Sequence, residues 1–272
     1  MIPLLGHRSE DQPVAVFAGR FISASEFMAD VHAFAERLPS RRYAINLCRD
    51  RYCFAVAFAA AMLRNQISLL PPSQSPATLE QLRVEYVSVY VMADDDMDRS
   101  LESVRVNVGN APQSNKLASL AFAESTVAAI AFTSGSTGTP VANRKTWGAL
   151  ALGGISEASR FGLIGDTSTI VFGTVPPQHM YGLESTVIMA LRGGLIMHNE
   201  RLFFPADIQN ALASVDARRV LVSTPVHLRA MLAGETHLAP LWLTVCATAP
   251  LPRDMAGEFE KRFTTQVHEV YG

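Results

Sequence analysis

Apolar positions along the chain change period repeatedly, and the changes predict a series of alternating strands and helices. Val14 to Phe17 and Phe21 to Ile22 flank Gly19 as a β-hairpin. From Ser25 the apolar positions Phe27, Val31, Phe34, Ala35 and Leu38 share one helical face, and Pro39 ends the pattern. Ala44 to Leu47 predicts a short buried strand. The run from Phe54 to Leu63 falls within a buried helix expected from Tyr52 to about Asn65. Ile67 to Leu70 predicts a strand stopped by Pro71-Pro72, Thr78 to Val84 a helix, and Tyr86 to Met92 a strand.

Val127 to Phe132 then predicts a buried strand and Trp147 to Arg160 a helix. Further strands are expected at Thr169 to Thr174, Leu195 to His198, Arg219 to Ser223, Leu243 to Ala247 and Val267 to Tyr271. Between them lie the helical segments Leu183 to Leu191, Pro205 to Ser214, Val226 to Leu232 and Arg253 to Phe263. Such alternation implies an α/β fold with sheets of largely parallel strands covered by helices. Ligands in such folds sit at the C-terminal ends of strands, so the loops after Phe132, Thr174, Ser223 and Ala247 are expected to converge. Gly109 to Lys116 is the best internal linker, dividing residues 1–116 from 117–272. No internal repeat is visible.

Composition narrows the class. The chain has 272 residues, 49% hydrophobic and 18% charged, with net charge −2, enough for a large core in one or two domains. No basic stripe points to nucleic acid. The longest apolar run is too short to span a bilayer, and the N-terminus lacks a signal-peptide pattern, so a cytoplasmic protein is expected. Cys48, Cys53 and Cys246 have neither zinc nor disulfide spacing. The acidic run Asp94-Asp95-Asp96-Met97-Asp98 lacks the spacing of a calcium loop and reads as a solvated turn, so no metal site is expected in the chain.

The most informative chemistry follows the strand at Val127 to Phe132. Thr133, Ser134, Gly135, Ser136, Thr137, Gly138 and Thr139 form a run of small and hydroxyl side chains before Pro140. Glycines permit close backbone approach and the hydroxyls add donors, a combination suited to a phosphate chain. A flexible linker has the same composition, although linkers rarely sit directly on a buried strand. A Walker A loop is excluded because no Lys follows Gly138, and the dinucleotide fingerprint because only one glycine interval is present. The nucleophile elbow fails because Ser136 directly follows Gly135.

The segment from Thr133 to Pro140 closely resembles the phosphate loop of the adenylate-forming enzymes, which include acyl- and aryl-CoA synthetases and peptide-synthetase adenylation domains. Val175 to Leu183, Leu221 to Arg229, Ala247 to Pro252 and His268 to Gly272 resemble that family's later motifs in the same order, and the likeness covers nearly the whole chain. The resemblance implies the N-terminal large domain of such an enzyme. Its reaction is ATP-dependent attack of a carboxylate on the α-phosphate, release of pyrophosphate, and capture of the acyl group by the thiol of CoA or of a carrier protein's phosphopantetheine, with Mg²⁺ as the metal. Thr133 to Thr139 would hold phosphates, Thr248, Ala249 and Pro250 would border adenine, and Tyr271 with Gly272 would complete the nucleotide site. His179, Tyr181 and Gly182 would line the acid or thiol pocket. His179 also reads as a packed loop histidine and Tyr271 as an ordinary sheet-end aromatic; His227, His268 and Arg229 read as structural or solvated.

Departures from the family pattern bear on activity. Val141 stands where a Lys is usual, and Lys145, with Arg144, is the nearest cation to replace it at phosphate. Thr248 stands where a small Gly is common. The chain ends at Gly272, before the family's magnesium-holding Glu, its hinge and the C-terminal domain with the catalytic Lys, so no catalytic residue is assigned and the piece alone is expected to be inactive. A degenerate nucleotide-binding module is the rival reading, and an unrelated phosphotransferase a third. The expected partners are a small-molecule carboxylic acid, aromatic or fatty, an acceptor carrier protein or CoA, and a second copy of this chain at the sheet edge ending in Tyr271.

Overall fold

The structure is a computed structural model that describes residues 1–71, 73–96, 101–109, 120–134 and 140–271, the side chains of Thr133, Ser134 and Pro140 excepted. The strands are β1 Ile2–Pro3, β2 Pro13–Phe17, β3 Arg20–Ser23, β4 Tyr43–Asn46, β5 Ile67–Leu70, β6 Tyr90–Ala93, β7 Ser103–Arg105 and β8 Ala121–Phe122. They continue as β9 Val127–Ser134, β10 Pro140–Thr146, β11 Thr169–Gly173, β12 Ile196–His198, β13 Arg218–Ser223, β14 Leu243–Cys246 and β15 Gln266–Glu269. Two larger sheets result, with orders β10-β9-β5-β4-β6-β7 and β15-β14-β13-β11-β12-β2-β3, besides the small pair β1-β8. Only β9 with β10 and β2 with β3 pair antiparallel within the larger sheets, which agrees with the parallel α/β expectation.

Helices divide into layers. Helices α1 Ala24–Arg37, α2 Arg51–Leu63 and α4 Trp147–Arg160 lie between the two sheets. The same layer holds a continuous helical stretch of α5 Met180–Gly182, a π-helical turn Leu183–Ile188, and α6 Met189–Gly193. Helix α3 Pro76–Glu85 covers the outer face of the six-stranded sheet. Helices α7 Pro205–Ala213, α8 Pro225–Ala233 and α9 Arg253–Phe263 cover the outer face of the seven-stranded one.

This layering explains the sequence pattern. Helix α2 is covered on all sides, and every residue from Arg51 to Met62 is buried, so its apolar residues need no amphipathic period. Helix α9 keeps one face in water and shows the period clearly, burying Met255, Phe259 and Phe263. Caps fix the starts: Ser23 and Glu26 form a reciprocal capping box on α1, and Asp50 accepts the N–H of Cys53 at 3.0 Å on α2.

Several elements differ from the sequence reading. The strand expected from Tyr86 begins at Tyr90, because Tyr86 caps α3 and Ser88 turns the chain with φ +59°. The polar segment Pro140–Thr146, given no element above, is a strand because it closes an antiparallel hairpin with β9 on the sheet edge, where Arg144 is exposed and Asn143 and Lys145 are half-buried. Asp94 is no free solvated acid: its carboxylate accepts N–H groups of Arg49 and Asp50 at 3.0 and 2.6 Å, tying β6 to the start of α2. Met97 and Asp98 lie outside the described residues. The sheets also cross the division at residues 116 and 117. The hairpin β2-β3 joins the sheet made by residues 169–269, and β9-β10 joins the sheet made by residues 43–105.

One side chain pins the helical layer to the seven-stranded sheet. Arg51, at the first position of α2, donates from Nε to Thr186 Oγ1 at 2.9 Å. Its terminal nitrogens donate to the carbonyls of His198 (2.9 Å), Gly173, Val175 and Glu200 (3.1 Å each). Gly173 leaves room for this, since a Cβ there would stand 2.6 Å from Arg51 Nη2. Among the described residues no helix is long and apolar enough to cross a membrane.

Candidate functional site: a cleft at the strand ends

The C-terminal ends of strands from both sheets open on one cavity of about 680 Å³. Thr174 follows β11, Thr224 follows β13 and Thr248 follows β14, while Leu70 ends β5 and Ala131 and Phe132 belong to β9. Three of the four loops expected to converge therefore meet here, beside the end of β9; the loop that follows Phe132 lies outside the described residues. The wall from the seven-stranded sheet carries hydroxyls and the wall from the six-stranded sheet is apolar.

Hydroxyl geometry on the first wall is fixed by neighbours. Thr174 Oγ1 lies 3.1 Å from Ser223 Oγ, and Thr224 Oγ1 lies 2.8 Å from His227 Nδ1. Tyr181 lines the cavity but its OH donates to the backbone carbonyls of Ser223 (3.1 Å) and Val245 (2.9 Å), buckling the start of α5 onto β13 and β14. Burial raises its phenol further from ionisation. Gly182 serves packing: a Cβ there would stand 2.0 Å from Pro176 O.

His179 lines the cavity, with its pKa lowered by burial and then by the charge of Arg201. His227, read above as structural, is a second wall histidine, and burial lowers its pKa as well. Both imidazoles are therefore pushed toward the neutral form. Arg201, in the loop after β12, is a wall residue that the sequence reading missed. The signal was available, because this loop too follows the C-terminal end of a parallel strand.

Thr248 has φ +83°, a conformation that strains a β-branched residue. This gives the unusual Thr at a glycine-favouring position a structural meaning. Ala249 and Pro250 continue from it on the exposed rim. Tyr271 is 77% exposed beside them, its OH donating to Glu269 Oε2 at 2.5 Å, while Glu269 Oε1 accepts the N–H of Leu251 at 2.8 Å. One carboxylate thus holds the exposed ring and the rim loop in fixed relation.

Pro140 pairs with Ser134 across the β9-β10 hairpin, so both ends of the glycine-rich segment stand beside this cleft. Gly135, Ser136, Thr137, Gly138, Thr139 and Gly272 lie outside the described residues, as do the side chains of Thr133 and Ser134. Lys145 lies five positions beyond Pro140 along β10, a backbone distance of about 17 Å. Its charge acts on Glu184, and the described strand brings it no closer to the loop. None of the described lining residues is a carboxylate, and no group of three metal-ligating side chains is assembled among the described residues. The described cleft therefore offers a magnesium ion no carboxylate ligand.

With this geometry in place, comparison with known proteins is informative. The chain belongs to the AMP-binding enzyme family, which matches residues 4–272. It is similar to a 4-coumarate–CoA ligase of Rhodobacter capsulatus, at 29% identity over 153 residues, 56% of this chain and 39% of that protein. Its fold is similar to ATP-bound MatB from Rhodopseudomonas palustris, with TM-score 0.79 at 18% identity, over 98% of this chain and 57% of that one. It is also similar to O-succinylbenzoate coenzyme A synthetase from Bacillus subtilis in complex with ATP and magnesium, with TM-score 0.76 at 18% identity, over 96% and 57%. The chain thus spans well under two thirds of the length of each of these relatives.

Proposed function

We propose that this chain is the nucleotide- and acid-binding part of an ATP-dependent carboxylate ligase, forming an acyl- or aryl-adenylate and then a thioester. The observation that carries the reading is the single cleft on which the hairpin holding the glycine-rich loop and the Thr174, Thr224 and Thr248 loops all open. In this reading residues 133–139 grip the triphosphate, and the rim 248–250 with Tyr271 and Gly272 receives adenine. Tyr271 is suited to stacking because its ring is exposed while its OH is tethered to Glu269.

The reaction joins a carboxylate oxygen to the α-phosphorus while the bond to pyrophosphate breaks; a thiol sulfur then bonds the acyl carbon and AMP departs. Displacement at phosphorus depends on positioning and charge neutralisation more than on covalent help from the protein. The residues described here hold and align the reactants: hydroxyls on one wall, apolar surface on the other, and His179, pushed toward its neutral form, bordering this cavity and an adjoining one. The thiol donor is CoA or a carrier-protein phosphopantetheine. The three cysteines of the chain are buried, with thiols raised above the usual range chiefly by burial, and have no part in the transfer.

A second reading, a degenerate scaffold that keeps the nucleotide fold but no longer grips nucleotide, draws on Val141, which is 53% exposed beside the loop and supplies no charge. Isothermal titration with ATP and AMP separates the two. Saturable binding of both nucleotides, weakened by Tyr271→Ala, supports the ligase reading; absence of heat for either one removes it.

A further inference from the structure

Arg201 is the one charged side chain among the described residues lining the main cavity. It also lines the two adjoining cavities, of about 260 and 610 Å³; His179 borders the first of these with it, and Arg49 borders both. Arg201 makes no ion pair or hydrogen bond among the described residues, whereas most carboxylates near it are engaged. Asp95 pairs with Arg49, and Asp94 binds the N–H groups of Arg49 and Asp50. Asp50 accepts from Cys53 and Asn199, and Asp207 caps α7 through the N–H of Phe204. The Glu200 carboxylate shares only the outer cavity with it. An exposed guanidinium with no described partner thus borders, with Val175, Met180 and Phe203, a pocket that has no other charged lining residue among those described.

Its position separates it from the reacting end. In the sheet order β14-β13-β11-β12, Arg201 follows β12 and Thr248 follows β14, three strand spacings apart, or about 14 Å. Resting on the ligase reading above, the carboxylate that attacks phosphorus must lie toward the Thr248–Pro250 rim. A single carboxylate cannot also meet Arg201.

We propose that Arg201 anchors a second carboxylate of the substrate, so that the acid activated here is a dicarboxylic acid entering with one end on Arg201 and the other toward the rim. A guanidinium binds a carboxylate in a two-pronged fashion, and the apolar walls strengthen the attraction relative to open water. The span between the two ends is walled by Val175, Pro176 and Met180, which suits an aliphatic or aromatic spacer.

The test is calorimetric titration of this chain with α,ω-dicarboxylic acids of four to ten carbons, each beside the monocarboxylic acid of equal length. The expected result is at least one diacid bound tenfold or more tightly than its partner. That margin falls below threefold in Arg201→Ala and is partly kept in Arg201→Lys. AMP affinity stays unchanged in both variants. Equal binding of diacids and monoacids throughout, no binding of any acid, or a preference that survives Arg201→Ala would overturn the proposal. If AMP binds while the diacid preference is absent, only this proposal fails; if the preference is present and neither ATP nor AMP binds, the ligase reading fails instead.

Discussion

Arg51 and Arg201 serve the same strand ends from two different regions, the closed helical layer between the sheets and the open cleft beside it. Burial lowers the Arg51 pKa to about 10, yet the guanidinium stays charged and satisfied because four carbonyls and a hydroxyl surround it. Arg201 has no protein partner among the described residues and is exposed. A closed layer has to answer every polar group from within, because water cannot. An open cleft can leave one unanswered, and a ligand can then answer it.

The largest effect is expected from opening the closed region. Arg51→Met leaves the carbonyls of Gly173, Val175, His198 and Glu200 without their donor, and should lower stability by more than about 3 kcal/mol in urea denaturation. A loss under about 1 kcal/mol would show that the layer does not depend on this joint.

Two groups test the same region through pH. His198 Nδ1 and Glu157 Oε1 are buried without hydrogen-bond partners. Burial, then the charge of Arg51, lowers His198 from 6.5 to about 4, so it favours the fold fully above pH 6.5 and loses that contribution as pH falls toward 4. Burial raises Glu157 from 4.5 to about 7, so its contribution is present below pH 4.5 and lost as pH rises toward 7. Each is worth about 3 kcal/mol and the two oppose one another. Glu157→Gln should therefore leave a stability that climbs between pH 4.5 and 6.5 where the parent is flatter, as denaturation midpoints would show; an unchanged slope would contradict the assignment.

Effects at the cleft are expected to be smaller. Tyr181→Phe removes a donor shared by two carbonyls and should cost about 1 to 2 kcal/mol. Thr248→Gly should raise stability by about 1 kcal/mol, because glycine accepts φ +83° without strain; a destabilised variant would mean that the Thr side chain is held by contacts outweighing its strain. Least of all, Arg201→Ala should leave the melting temperature unchanged and raise the His179 pKa, read by proton NMR, since a neighbouring positive charge is removed.

How far the sequence disclosed this molecule follows from the same contrast. Helices α4 and α9 and strand β5 match the apolar pattern to the residue, and α2 was legible from its unbroken apolar run. Strand β10 was not, because a partner rather than its own composition makes it a strand. Arg51 was invisible: an arginine at a helix start is usually solvated, and only the close approach of three chain segments distant in sequence buries it. In the cleft, strand-end logic anticipated Thr174, Thr224 and Thr248 but was not applied after β12, which is why Arg201 was missed.

The hairpin at the start of the chain has a consequence for synthesis. Ala15 of β2 pairs with Met197 of β12, which is translated 182 residues later. At 5 to 20 residues per second, the first strands wait roughly 10 to 40 s on the ribosome before their sheet exists. During that interval Val14, Ala15 and Ile22, all later fully buried, can be covered only by α1 and α2, without the sheet they are to join. The order of synthesis thus runs against the order of assembly: this hairpin is made well before the strand it pairs with and must wait for it.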